Sequence, residues 1–133
     1  MDENNYRILV VDDSPMILGL TKAILEKVGY HVETLESGNT ALQRLEQMST
    51  MGEKLPDLVI SDIEMPGING IKLVRRCREL YPNLPFILSS GNIRDYKDKL
   101  EALNIPYLEK TASTHLIKDL TDKVKEELNK NRS

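Results

Sequence analysis

Five short apolar runs, each followed by a segment with helical spacing, set the pattern of this chain. The first, Tyr6 to Val11 (YRILVV), is rich in β-branched residues and predicts a buried strand. It gives way at Asp12-Asp13 to Ser14-Pro15, a helix cap followed by proline at the first helical position. Ile17, Leu20, Ile24, Leu25 and Val28 then recur at helical spacing, and Gly29 ends the helix. His31 to Leu35 alternates polar and apolar, as a half-exposed edge strand does. Ser37-Gly38-Asn39 opens a second helix carrying Ala41, Leu42, Leu45 and Met48, and a polar loop runs from Ser49 to Pro56.

The run Leu58 to Asp62 (LVISD) reads as a central strand buried on both faces. It ends in a carboxylate, and Pro66, Gly67 and Gly70 shape the loop that leaves that carboxylate accessible. Ile71, Leu73, Val74, Cys77 and Leu80 mark a third helix closed by Pro82. Pro85 to Gly91 (PFILSSG) is a fourth strand, this time ending in hydroxyls. A short charged helix from Arg94 to Leu103 leads to Ile105–Lys110 (IPYLEK), whose Pro106 assigns it to a sheet edge. Ser113 caps a last helix with Leu116, Ile117, Leu120, Val124 and Leu128 on its buried face. Strand and helix alternating five times imply an α/β architecture, a parallel sheet with helices on both faces and right-handed crossovers. Strands one, three and four are the most apolar and belong at the centre, which gives the order 2-1-3-4-5.

At 133 residues the chain fits a single domain, residues 1–133, without repeats, low-complexity tracts or a linker. The 18 basic and 21 acidic residues are intermingled, net charge −3, so no basic nucleic-acid or polybasic membrane patch is expected. No run reaches membrane-spanning length and the first residues, MDENN, are unlike a secretory signal, so a cytoplasmic location is expected. A single cysteine, Cys77, excludes an intramolecular disulfide and argues against a cysteine-based zinc site. His31 and His115 have no second ligand at useful spacing and read as structural or solvated.

Ligands of such sheets sit at the carboxyl ends of the strands. That rim gathers Asp12, Asp13, Asp62, Ser90 and Lys110. Alone, Asp13 could be a helix cap, Ser90 a turn residue and Lys110 a surface lysine. Their coincidence at the ends of strands one, three, four and five argues for a site. Three crowded carboxylates raise one another's pKa unless a cation sits among them, and magnesium suits their hard oxygens. Asp62 beside magnesium is a nucleophile for a phosphoryl group, giving an aspartyl-phosphate. Ser90 can donate a hydrogen bond to one phosphoryl oxygen, and Lys110 can place its charge on another.

Taken together, VVDDS (residues 10–14), DIEMPG (62–67) with Gly70, LSSG (88–91) and YLEK (107–110) resemble the receiver domains of two-component response regulators, from Ile8 to Leu128. The resemblance implies a flavodoxin-like fold, and Asp62 accepting a phosphoryl group from a sensor histidine kinase or histidine phosphotransfer protein. It implies magnesium held by Asp12, Asp13, Asp62 and the backbone carbonyl of Glu64. Ser90 would be the switch hydroxyl, Gly91 the small residue giving access, and Tyr107 the aromatic that reorients on activation. Two departures stand out: Thr111 replaces the usual proline after Lys110, and Glu64 adds a carboxylate two residues beyond the acceptor. The cost of a cis bond before a residue other than proline predicts a trans Lys110–Thr111 peptide.

The expected function is a phosphorylation-dependent switch. Only Asn129 to Ser133 follow Leu128, so the expectation is no fused effector, and output through a downstream protein target or a phosphorelay. The alternative is a magnesium-dependent phosphohydrolase with an aspartyl nucleophile, which usually has an aspartate where Glu64 stands. A dinucleotide-binding module is disfavoured because Asp-Asp-Ser-Pro, not a glycine loop, follows the first strand.

Overall fold

A computed structural model describes residues 5–110 and 115–130. Thr111, Ser113, the Lys110–Thr111 peptide bond and the side chains of His115 and Leu116 lie outside the described residues. In chain order the elements are β1 (Arg7–Val11), α1 (Pro15–Val28), β2 (His31–Leu35), α2 (Gly38–Thr50), β3 (Leu58–Asp62), α3 (Gly70–Leu80), β4 (Phe86–Ser90), α4 (Lys97–Ala102), β5 (Tyr107–Glu109) and α5 (His115–Lys130). The strands form one parallel sheet in the order β2-β1-β3-β4-β5, as the apolar gradient along the chain predicts.

Alternation along the strands sorts the core into two layers. Leu9, Val11, Val59 and Leu88 face α2, α3 and α4, where they meet Ala41, Leu45, Leu73, Val74, Cys77 and Leu100. Ile8, Val10, Leu58, Ile60 and Ile87 face α1 and α5, against Leu18, Leu25, Leu120, Val124 and Leu128. Each such side chain, fully buried, contributes about 1.5–3 kcal/mol relative to exposure.

Local signals set the helix ends. Ser14 caps α1 by accepting from the Ile17 amide (3.3 Å), with Pro15 inside the first turn and Gly29 left-handed at the end (φ 116°). Ser37 and Thr40 form a capping box on α2, and Asn69 caps α3 through the Lys72 amide (2.9 Å).

Some expectations shift. The second helix continues through Ser49 and Thr50, so the polar loop begins at Met51. The charged helix expected from Arg94 to Leu103 is a 3₁₀ turn, Ile93–Asp95, followed by the short α4. The break follows from two anchors: Ile93 is buried, and the Asn92 amide donates to the Ser90 hydroxyl (2.9 Å), turning the chain directly after β4. Leu20, Leu80 and Ile117, placed by spacing on buried faces, are exposed at 45%, 49% and 54%: Leu20 lies to the side of the stripe of Leu18 and Leu25, Leu80 is the last residue of α3, and Ile117 lies in the first turn of α5. Among the described residues no helix is long and apolar enough to cross a membrane.

Candidate functional site

The carboxyl ends of β1, β3, β4 and β5 converge as the topology requires. Asp12 directly follows β1; its amide donates to Leu35 O (3.1 Å), and its Oδ1 accepts from the Ser14 amide (2.9 Å). This fixes the carboxylate at the rim, 3% exposed. Because Ser14 is the helix cap, the exposed Asp13 is not needed for that task. Asp62 ends β3 at 6% exposure, paired in register with Ser89. The loop beyond it is shaped as expected: Gly67 is left-handed (φ 78°), and the Gly70 amide returns to Ile63 O (2.9 Å). Gly70 is required for space, since a Cβ there would lie 2.5 Å from the Asp62 carbonyl oxygen.

Lys110 enters from β5, its amide bonded to Ser90 O (2.9 Å). Its ammonium bridges Asp12 Oδ2 (2.6 Å) and Asp62 Oδ1 (3.2 Å). Burial pulls that ammonium's pKa down, but the Asp12 hydrogen bond and the charges of Asp62 and Asp12 outweigh it and raise the value. Burial pushes the Asp62 carboxyl up, with the neighbouring Asp12 adding to it and Lys110 opposing. Of the crowding expected among the three acids, the effect of Asp12 on Asp62 is what emerges, and burial is the larger cause. One carboxylate oxygen from each of Asp12, Asp13 and Asp62 lies within 4.8 Å of the others. Three hard anionic oxygens against one ammonium, with one acid facing solvent, fit magnesium.

Ser90 sits at the end of β4 as expected, but its hydroxyl is committed elsewhere. It donates to Glu64 Oε1 (2.8 Å) rather than reaching toward Asp62. Asn92 Nδ2 approaches Glu64 Oε2 (3.4 Å), and the Tyr96 hydroxyl lies close enough to favour the charged carboxylate. The Ser90 hydrogen bond, opposed by burial and helped by Asn92, Tyr96 and the charge of Lys110, holds Glu64 below the usual carboxylate range. Sequence reading saw Glu64 as an extra charge and a backbone ligand. It missed the clasp, and with it Asn92 and Tyr96; the only available signal was Asn92 two residues after Ser90. The Tyr107 hydroxyl donates to Glu101 Oε2 of α4 (2.8 Å), while a Cβ at Gly91 would meet nothing within 4 Å. His31 is exposed on the edge strand and Cys77 is buried in α3, neither near the acids.

The family model described as the response regulator receiver domain matches residues 8–124. The response regulator receiver protein CpdR of Brucella abortus is 39% identical over 84 residues, covering 63% of this chain and 64% of that protein. The CAI-1 autoinducer sensor kinase/phosphatase CqsS of Vibrio cholerae is 37% identical over 89 residues, 65% of this chain and 12% of the kinase. The chain thus spans less than two thirds of these curated relatives. Among solved structures, the response regulator TrrA of Thermotoga maritima, in complex with Mg²⁺–BeF, superposes with a TM-score of 0.78. It is 34% identical, over 92% of this chain and 98% of that one.

Proposed function

We propose, because this chain belongs to the response regulator receiver domain family, that Asp62 accepts a phosphoryl group from a histidine kinase or histidine phosphotransfer protein. The observation that carries the reading is the Asp12–Lys110–Asp62 bridge, with a third carboxylate, Asp13, in reach. An Asp62 oxygen attacks phosphorus in line; the new O–P bond forms as the P–N bond of the donor phosphohistidine breaks, and the imidazole leaves with the electron pair. Lys110 is already placed beside the acceptor oxygen and stabilises charge on the phosphoryl oxygens without reorganising. Asp12, Asp13, Asp62 and the Glu64 backbone carbonyl would hold magnesium, which would neutralise the charge of the carboxylates and the phosphoryl group. The protein acts as a stoichiometric acceptor whose altered surface is read by a protein partner, or from which the phosphoryl group is passed on.

The phosphohydrolase alternative is disfavoured by Glu64. It occupies the position of that chemistry's general acid, yet it is a hydrogen-bond acceptor held below the usual carboxylate range. The test is intact-mass measurement after exposure to acetyl phosphate and magnesium. The wild type should gain one phosphoryl group and Asp62→Asn none; an undiminished adduct on the variant would overturn the assignment.

A further inference from the structure

The carboxylate of Glu64 accepts from the Ser90 hydroxyl (2.8 Å) and the Asn92 side-chain amide (3.4 Å), with the Tyr96 hydroxyl close enough to favour its charged form. These groups belong to consecutive parts of one path. Ser90 closes β4, Asn92 precedes the 3₁₀ turn, and Tyr96 stands immediately before α4. We propose that Glu64 is a resting-state latch: it competes with the phosphoryl group for Ser90, and its release frees the entrance of α4. The inference rests on the reading of Asp62 as the phosphoacceptor.

The competition follows from proton counting. A serine hydroxyl has one hydrogen to give. In the resting structure it goes to Glu64 Oε1, so Ser90 can serve a phosphoryl oxygen on Asp62 only by leaving Glu64. Ser90 Oγ also accepts from the Asn92 amide (2.9 Å), so any shift of the hydroxyl pulls on Asn92 directly. Glu64 is exposed and gains water when displaced, and its charge is repelled by an incoming phosphoryl group. Opening the latch is therefore inexpensive once Asp62 is modified. With Glu64 gone, the Asn92 side chain loses its acceptor.

The element they restrain is built to respond. Helix α4 runs only from Lys97 to Ala102, has no side-chain cap and buries Leu100 alone. A helix of that length is not stable by itself and depends on the contacts that hold its ends. Glu64 holds the turn before its start through Asn92, and the Tyr107–Glu101 bond (2.8 Å) holds its far end. Glu64 thus joins the chemical site to the start of α4 by a route distinct from Tyr107.

The test is a double-mutant cycle with magnesium and beryllium fluoride as the phosphoryl mimic, read by calorimetry and by amide NMR. Glu64→Ala should tighten mimic binding roughly three- to tenfold, the range for removing one competing hydrogen bond. In the Ser90→Ala background the same change should alter affinity by less than about twofold, because no hydroxyl remains to be released. Without the mimic, Glu64→Ala should move the Asn92 to Tyr96 resonances toward their positions in mimic-bound wild type. An equal gain in both backgrounds would reduce Glu64 to simple charge repulsion and overturn the latch. Unmoved resonances would overturn the coupling to α4, and this readout needs no variant at the buried Ser90. Mimic binding by Asp62→Asn equal to wild type would instead overturn the acceptor reading, a separate and distinguishable failure.

Discussion

Replacing Gly70 by alanine tests how tightly the turn after Asp62 is built. Gly70 is the first residue of α3, and its φ is not left-handed, so alanine is allowed on backbone grounds. Helix propensity alone would favour the change by about 1 kcal/mol. Space decides the other way. The new Cβ would lie 2.5 Å from Asp62 O, 2.9 Å from Ile63 Cα and 3.1 Å from the Asp62 carbonyl carbon. All three are backbone atoms of a segment tied to β4 through the Ile63 amide and Ser89 O (2.9 Å), so no rotamer change relieves them. Overpacking of this kind costs about 1–3 kcal/mol and occasionally more, and rigid neighbours select the upper end. The net expectation is a loss of about 2 kcal/mol, or a melting temperature lower by roughly 5–10 °C for a domain of this size. Gly19→Ala is the matched control: it is exposed in the middle of α1, with nothing within 4 Å of the added Cβ. It should stabilise by about 0.5–1 kcal/mol. Urea unfolding at constant m-value, with thermal melts beside it, measures both variants. Since the displaced atoms belong to Asp62 itself, magnesium affinity should fall along with stability in Gly70→Ala only. If Gly70→Ala proves as stable as wild type, the close approach does not constrain the turn after Asp62.

Further expectations follow from the site. Asp13→Ala should lower magnesium affinity roughly tenfold or more while changing stability by less than about 0.5 kcal/mol, because Ser14 is the cap; calorimetric titration and a melt separate these effects, and unchanged affinity would remove Asp13 from the metal site. Asp62→Asn should raise the melting temperature at pH 7 without magnesium. The folded-state pKa of Asp62 is raised by burial, so its favourable contribution is complete below the unfolded carboxylate range and is lost as pH rises through the folded value. The advantage of the variant should therefore shrink toward about pH 4, and an advantage independent of pH would contradict the linkage. Beryllium fluoride with magnesium should turn the Tyr107 ring inward and break its bond to Glu101; NMR contacts between Tyr107 and α4 that persist unchanged would exclude Tyr107 as a switch. Burial pushes the Cys77 thiol up to about 12, so iodoacetamide at pH 8 should label it only at the rate of unfolding, and rapid labelling of the native protein would show an opening of α3.

The alternation of apolar runs and helical stripes determined the five strands, their parallel arrangement and their order. A strand buried on both faces is apolar until it reaches the site, as Leu58 to Ile60 is ahead of the buried Ser61 and Asp62, whereas His31 to Leu35 is half polar and lies at the edge. The rim residues were legible for the same reason. Once topology is set, residues ending adjacent parallel strands become neighbours, and Lys110 meets Asp12 across 98 positions of sequence. Helix margins were less legible, because whether Leu20 or Ile117 is covered depends on its neighbours rather than on spacing.

What only the tertiary structure decided is which hydrogen bond each polar side chain makes. Ser90, Asp62, Lys110 and Glu64 all converge on one rim, and composition cannot rank the acceptors open to a single hydroxyl. The loop after β3 places Glu64 Oε1 at 2.8 Å from Ser90 Oγ, and the Tyr107 hydroxyl reaches Glu101 because α4 packs beside β5. Hydrogen bonds depend on tenths of an ångström and on angle, whereas burial depends only on which face a residue occupies. The sequence therefore determined where the charged groups gather, and the packed loops decided that the Ser90 hydroxyl rests on Glu64.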